Sequence, residues 1–216
     1  MRKIETVFFD LDGTLVDNYE AITRCIAASL EPMGITPPTL EKVKRTVGGS
    51  ILITFEKLIG KDSALQAAKT YMEHIEEYEL VGLKEMPHAR EILQGLKSRG
   101  IKTALFTNKS QKSAEHIIEI LDFGHFFDRI IGTSLNGARK PEKEFTLLAL
   151  EKMKSDFETS AVVGDSPYDY KAAKACALTP ILVATGGNSF ESLEILCPDA
   201  NIFKNLREAE IFIESR

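Results

Sequence analysis

Cysteine is scarce, with only Cys25, Cys176 and Cys197 in 216 residues. An odd and widely spaced set fits neither a disulfide framework nor a CxxC metal site, and a reducing cytoplasm is the expected home. Basic residues are outnumbered, 27 against 32 acidic ones, for a net charge of −5 and an isoelectric point near 5.5. No stretch gathers enough Lys and Arg to follow a phosphate backbone, so nucleic acid is not an expected partner. Long apolar runs are missing too. Thr103–Phe106 and Ala161–Val163 are strand-sized, whereas a membrane helix needs ~20 residues. The opening Met1-Arg2-Lys3-Ile4-Glu5-Thr6 lacks the apolar core of a secretory leader. No membrane association is expected.

What the chain does have is 44% hydrophobic and 27% charged residues, enough to bury a core. At ~150 residues per domain, it holds one large domain or a core with a smaller insert. Val7-Phe8-Phe9 is a β-rich run, and similar runs recur at Thr103–Phe106, Arg129–Ile131, Ala161–Val163 and Ile181–Ala184. Helical patterns alternate with these runs from Pro87 onward. One helix is predicted over 88–99, closed by Gly100, and another over 111–121 with Ala114, Ile117, Ile118 and Leu121 on one face. Continuous apolar strands separated by helices predict an α/β fold, a doubly wound parallel sheet covered on both sides.

The segment 17–82 breaks this alternation. Ile22, Ile26, Leu30 and Met33 follow helical spacing, as do Ala67, Tyr71, Ile75 and Tyr78, with no convincing strand between them. A small α-helical cap inserted at 17–82 into a core made of 1–16 and 83–216 explains the pattern, with Pro37-Pro38 as a turn between cap helices.

In open α/β sheets ligands bind at the carboxyl ends of strands, so the residues following each strand are the informative ones. They are Asp10-Leu11-Asp12-Gly13-Thr14, Thr107-Asn108-Lys109, Lys140-Pro141 and Gly164-Asp165-Ser166-Pro167-Tyr168-Asp169. Four acids, a lysine and a threonine converge on one rim. Such carboxylates repel one another unless a cation sits among them. An oxygen-only donor set points to Mg²⁺, which binds through one or two carboxylates plus a substrate phosphate. An acid, a metal and a lysine around a phosphoryl group form a phosphotransfer site.

These motifs, in this order, resemble the haloacid dehalogenase-like phosphohydrolases with a helical cap after the first strand. Thr107-Asn108-Lys109, Val47-Gly48-Gly49 and Phe126-Phe127-Asp128 look most like the phosphoglycolate phosphatase branch. The resemblance implies a Rossmann-like core and a phosphatase acting on a small phosphorylated metabolite. It makes Asp10 the nucleophile that forms an aspartyl-phosphate. Asp12 becomes the proton donor and later the base, touching the metal through its backbone carbonyl. Lys140 neutralises phosphoryl charge, Thr107 and Asn108 meet the substrate, and Gly13 turns the chain sharply off the strand. Asp10, Asp12, Asp165 and Asp169 form the implied metal set, Asp169 in a supporting position or through water.

Plainer readings stand beside these. Ser166-Pro167-Tyr168-Asp169 is also a good helix start, a role compatible with the other. Arg139 competes with Lys140, but Lys140 precedes Pro141 as the family pattern requires. Lys44 and Arg45, ahead of Gly48-Gly49, either meet the substrate or form a solvated helix face; Arg45 and Gly48 are taken as substrate contacts. His74, His88, His116 and His125 lack metal-ligand spacing. The cysteines are read as small core residues, and Gly186-Gly187 as a plain loop. A sugar phosphomutase of the same superfamily and a non-catalytic regulatory protein remain alternatives, although Thr46-Val47-Gly48-Gly49-Ser50 does not reproduce the mutase cap motif. A monomer or homodimer is expected.

Overall fold

The computed structural model describes residues 3–134 and 137–216. Eight strands and ten α-helices follow in chain order among these residues. They are β1 (Thr6–Phe9), β2 (Val16–Asp17), α1 (Tyr19–Leu30), α2 (Leu40–Lys44), α3 (Ile51–Ile59), α4 (Lys61–Tyr78), β3 (Lys84–Glu85), α5 (Ala89–Ser98) and β4 (Lys102–Ser110). The second half adds α6 (Gln111–Ile120), β5 (Arg129–Thr133), α7 (Lys143–Met153), β6 (Ser160–Gly164), α8 (Pro167–Ala175), β7 (Thr179–Val183), α9 (Phe190–Leu196), β8 (Asn201–Phe203) and α10 (Leu206–Glu214).

Six strands form one sheet in the order β5-β4-β1-β6-β7-β8, and each neighbouring pair is parallel. Side chains alternate across a strand, so the apolar run of β1 feeds both faces. Val7 and Phe9 join Leu105, Val163, Ile92, Leu96, Ile117 and Leu206 in one core. Phe8 joins Phe106, Val162, Phe145, Ala149 and Ala172 in the other. There Phe106 stacks on Phe145 at 4.8 Å between ring centres, a contact worth ~1 kcal/mol beyond burial. Strand order reverses on either side of β1, between β4 and β6, and this is where a crevice opens at the carboxyl ends.

Helices α1 to α4 bury a third cluster built from Ile22, Ile26, Leu30, Phe55, Ala67, Tyr71 and Ile75. The chain leaves the sheet through β2 and returns through β3, which pair antiparallel as Val16↔Glu85 and Asp17↔Lys84. Ser50 caps α3 by accepting a hydrogen bond from the Ile53 N–H, and α4 begins directly after Gly60.

The structure adds to the sequence reading in three places. Strand β4 runs on through Thr107-Asn108-Lys109 to Ser110, with its register against β5 shifted between Phe106 and Ser110. A sixth strand, β8, extends the sheet beyond β7. Helices α9 and α10 close the second half. Cys25 and Cys197 are buried, Cys176 is half-buried, and all three are free. Among the described residues no helix is long and apolar enough to cross a membrane.

Candidate active site

Asp10 directly follows β1, with its N–H donating to the Val163 carbonyl of β6 at 2.9 Å. Its Oδ1 accepts from the Leu11 N–H at 2.8 Å and meets Lys140 Nζ at 2.9 Å. The same ammonium reaches Asp169 Oδ1 at 2.6 Å. Asp169 Oδ2 in turn accepts from the Ser166 N–H and Oγ, at 3.1 and 2.6 Å. The expected helix-capping role and a place beside the lysine therefore coexist in Asp169. Lys140 is completely buried, its ammonium 5.4 Å from the Phe106 ring centre.

Asp165 follows β6. Thr14 Oγ1 is 3.5 Å from its Oδ1, and the Gly187 N–H donates to its carboxylate. Gly13 has φ +85, and a β-carbon there would stand 2.7 Å from Asp165 Oδ2. A β-carbon on Gly186 would overlap that same oxygen. Gly186-Gly187 is therefore more than the plain loop expected: it forms one wall of the Asp165 site, while a β-carbon on Gly187 would collide with the Lys44 carbonyl.

Asp10, Asp165 and Asp169 are all buried, and each offers a carboxylate oxygen within 4.8 Å of the others. Lys140 pairs with Asp10 and Asp169 of this group, so one ammonium stands among three buried carboxylates. Burial raises Asp10 to about 7, Lys140 pulling it back only in part. Burial, then the neighbouring Asp169 and Asp10, push Asp165 well above the ordinary carboxylate range. Burial works against the Lys140 charge, but Asp10 and Asp169 outweigh it and hold Lys140 above its usual value. The lysine is thus charged while the carboxylates remain short of positive partners. An all-oxygen, underneutralised set fits a hard divalent cation. Asp169 is the least available of the three, since Lys140 and Ser166 already occupy its oxygens.

Asp12 is held differently. Its Oδ1 accepts from Asn18 Nδ2 at 2.7 Å, and Lys109 Nζ lies 3.3 Å from its Oδ2. Thr107 is buried, and its Oγ1 accepts from the Lys109 N–H at 3.2 Å. Asp10, Asp12, Thr107 and Lys109 all line a cavity of about 330 Å³ that continues between the sheet and helices α3 and α4.

Asn108 and Arg45 are placed differently from each other. Asn108 lines the cavity, but its Nδ2 donates to the carbonyls of Gly48 and Lys140, both at 3.0 Å, and its Oδ1 accepts from the Lys140 N–H at 2.8 Å. It acts as a tie between the Gly48 turn and the Lys140 loop. Gly48, at φ +121, packs so that a β-carbon would approach Ser166 and Tyr168 at 3.3 Å. Arg45 ends α2 and is exposed, away from the cavity lining; its backbone, with that of Lys44, packs on Gly187. Lys44 lies over the Tyr19 ring at 5.5 Å. Sequence reasoning assigns no site role to Asn18 or Lys109, and takes Gly186 for part of a plain loop. Lys109 carries a signal as the third member of the Thr107-Asn108-Lys109 triplet, Gly186 one as part of a glycine pair following a strand, and Asn18 none.

Comparison with known proteins gives a consistent picture. A family model described as haloacid dehalogenase-like hydrolase matches residues 7–183. A protein of Caldanaerobacter subterraneus subsp. tengcongensis with a provisional pyrophosphatase name is 32% identical over 197 residues, 91% of this chain and 89% of the relative. The phosphoglycolate phosphatase of Aquifex aeolicus is 28% identical over 85% of this chain and 86% of its own. A crystal structure from Clostridium acetobutylicum, described as a predicted phosphatase, superposes with a TM-score of 0.92 at 26% identity, covering 100% of both chains.

Proposed function

Since the chain belongs to the haloacid dehalogenase-like hydrolase family, we propose that it is a Mg²⁺-dependent phosphatase releasing phosphate from a small phosphomonoester through an aspartyl-phosphate. The observation that carries this reading is the Lys140 ammonium fixed between Asp10 and Asp169 beside Asp165, with Asp10 reaching the cavity that Asp12 and Thr107 also line. Relatives bear phosphoglycolate phosphatase and pyrophosphatase names, which makes phosphoglycolate and pyrophosphate the first substrates to try.

In this reading an Asp10 carboxylate oxygen attacks phosphorus as the bond to the leaving oxygen breaks, and Asp12 protonates that oxygen. Water then attacks the phosphorus of the aspartyl-phosphate, giving its proton to Asp12 as the bond from phosphorus to Asp10 breaks, so that Asp10 returns as a carboxylate and Asp12 as the acid. Lys140 orients Asp10 and offsets phosphoryl charge, while the Thr107 hydroxyl donates to a phosphoryl oxygen. Asp10, Asp165 and the Asp12 backbone carbonyl would hold Mg²⁺, with Asp169 in support through Lys140 and Ser166. When bound, the ion supplies charge stabilisation to the transferring group. Helices α1 to α4, within 17–82, serve as a cap over the rim that excludes bulk water.

The test is phosphate release from a panel of phosphomonoesters, pyrophosphate and nucleotides, with Mg²⁺ and after EDTA. Release that requires Mg²⁺ and disappears in a folded Asp10→Asn variant supports the reading. Full activity in EDTA, with metal analysis confirming an empty site, rejects it.

A further inference from the structure

The cavity has two chemically different ends. At the sheet end stand Asp10, Asp12, Thr107 and Lys109; the other end is formed by Ile51 and Leu52 of α3 and Leu65, Ala68, Met72 and Ile75 of α4. Of the three cations along the described lining, two are engaged within the protein and the third, Lys69 of α4, is open to solvent. Lys109 faces Asp12. Arg139 donates to the Gly137 carbonyl at 3.1 Å and approaches Glu142 at 3.8 Å. Lys69 is exposed. The remaining polar groups near the apolar end include the neutral hydroxyls of Ser50 and Thr54.

Resting on the phosphatase reading, we propose that the substrate's leaving group is an uncharged alcohol with an apolar body of several carbons, seated on α3 and α4 while its phosphate faces Asp10. Continuity of the apolar wall with Asp10 and Asp12 is what assigns this occupant. A glycolate leaving group would set a carboxylate against aliphatic side chains, with the solvent-exposed Lys69 as a partner that water screens to little effect. A cavity of about 330 Å³ also matches the lower end of ligand pockets, ~300 Å³ upward, that combine apolar walls with a few placed polar groups.

The experiment measures kcat/KM, with Mg²⁺, for ethyl, butyl and hexyl phosphate and for phosphoglycolate. Each methylene buried against the wall should raise kcat/KM about four-fold, so butyl phosphate should exceed ethyl phosphate by on the order of ten-fold and also exceed phosphoglycolate. Met72 and Leu65 are 37% and 53% exposed, so Met72→Lys and Leu65→Lys tolerate the charge. Each should lower turnover of butyl phosphate more than that of phosphoglycolate. A flat alkyl series with ethyl phosphate still hydrolysed, or phosphoglycolate preferred over butyl phosphate by about ten-fold, overturns this inference and leaves the phosphatase reading standing. No release from any ester by the folded, Mg²⁺-supplied protein removes both.

Discussion

Asp10 and Asp12 stand two residues apart and each faces a lysine, yet the two pairs are built on different plans. Lys140 has no exposed surface and lies 2.9 Å from Asp10 and 2.6 Å from Asp169. Lys109 lies 3.3 Å from Asp12, and the two side chains keep 7% and 15% exposure. The first pair is a closed network in which every member has further partners inside the protein. The second faces the cavity, where Asp12 can exchange a lysine or Asn18 for a substrate oxygen without stranding a fully buried charge. A fixed group suits attack along a set line; a group with interchangeable partners suits moving a proton twice.

The largest effect should separate these two carboxylates by substitution. Asp10→Asn should bring phosphate release to background with the fold intact by circular dichroism, and Asp12→Asn should slow release by ~10²-fold or more. Near-normal turnover in folded Asp10→Asn would remove the nucleophile from the scheme. Stability should separate the lysines next. Lys140→Ala leaves buried carboxylates uncompensated and should cost ~3–5 kcal/mol in urea unfolding, whereas Lys109→Ala should cost ~1 kcal/mol. Equal losses would erase the distinction between the pairs.

The closed network should also show itself through metal and pH. Free Mg²⁺ at about 100 times its dissociation constant should stabilise the protein by ~2.7 kcal/mol, and Asp165→Asn or Gly186→Ala should remove most of that gain. Burial raises Asp10 from 3.8 to about 7, so the folded metal-free protein keeps a proton that the unfolded chain releases. This contribution to stability is complete below pH 3.8 and lost as pH rises through about 7. Thermal melting in EDTA across that window should show the decline, and Mg²⁺ should reduce it. A metal-free Tm that rises from pH 4 to 7 contradicts it. The smallest effect belongs to Arg45→Ala, expected to shift stability by less than ~0.5 kcal/mol and to leave substrate ranking unchanged; a reordered panel would return Arg45 to the site.

Much of this site is legible in the sequence because strand-end position and residue chemistry coincide. Val7-Phe8-Phe9 marks a buried strand, so the acids after it must lie at its carboxyl end, and the same holds for Asp165 after Ala161–Val163. Partnership across the fold is not legible. That Asn108 ties the Gly48 and Lys140 backbones depends on two loops distant in sequence meeting beside it. Polar Thr107-Asn108-Lys109 looks like a loop by hydropathy, although the backbone stays extended in β4. Strand β8 has only three residues, too few for an alternation to register. Arg45 illustrates a further limit: five residues of α2 carry too little pattern to say which way the helix turns its basic side chains.

The short β2–β3 pair has a mechanical consequence. Because the outgoing and returning crossings lie side by side as Val16↔Glu85 and Asp17↔Lys84, the helical insertion is fastened to the sheet along one narrow line, as a door is to its jamb. Away from this pair the insertion is held by the Asn108 amide on the Gly48 carbonyl and by Glu79, which accepts from Ser113 and meets His116. Swinging about the jamb would have to release these ties together before admitting a molecule the size of the cavity, while the six-stranded wall behind it keeps its shape.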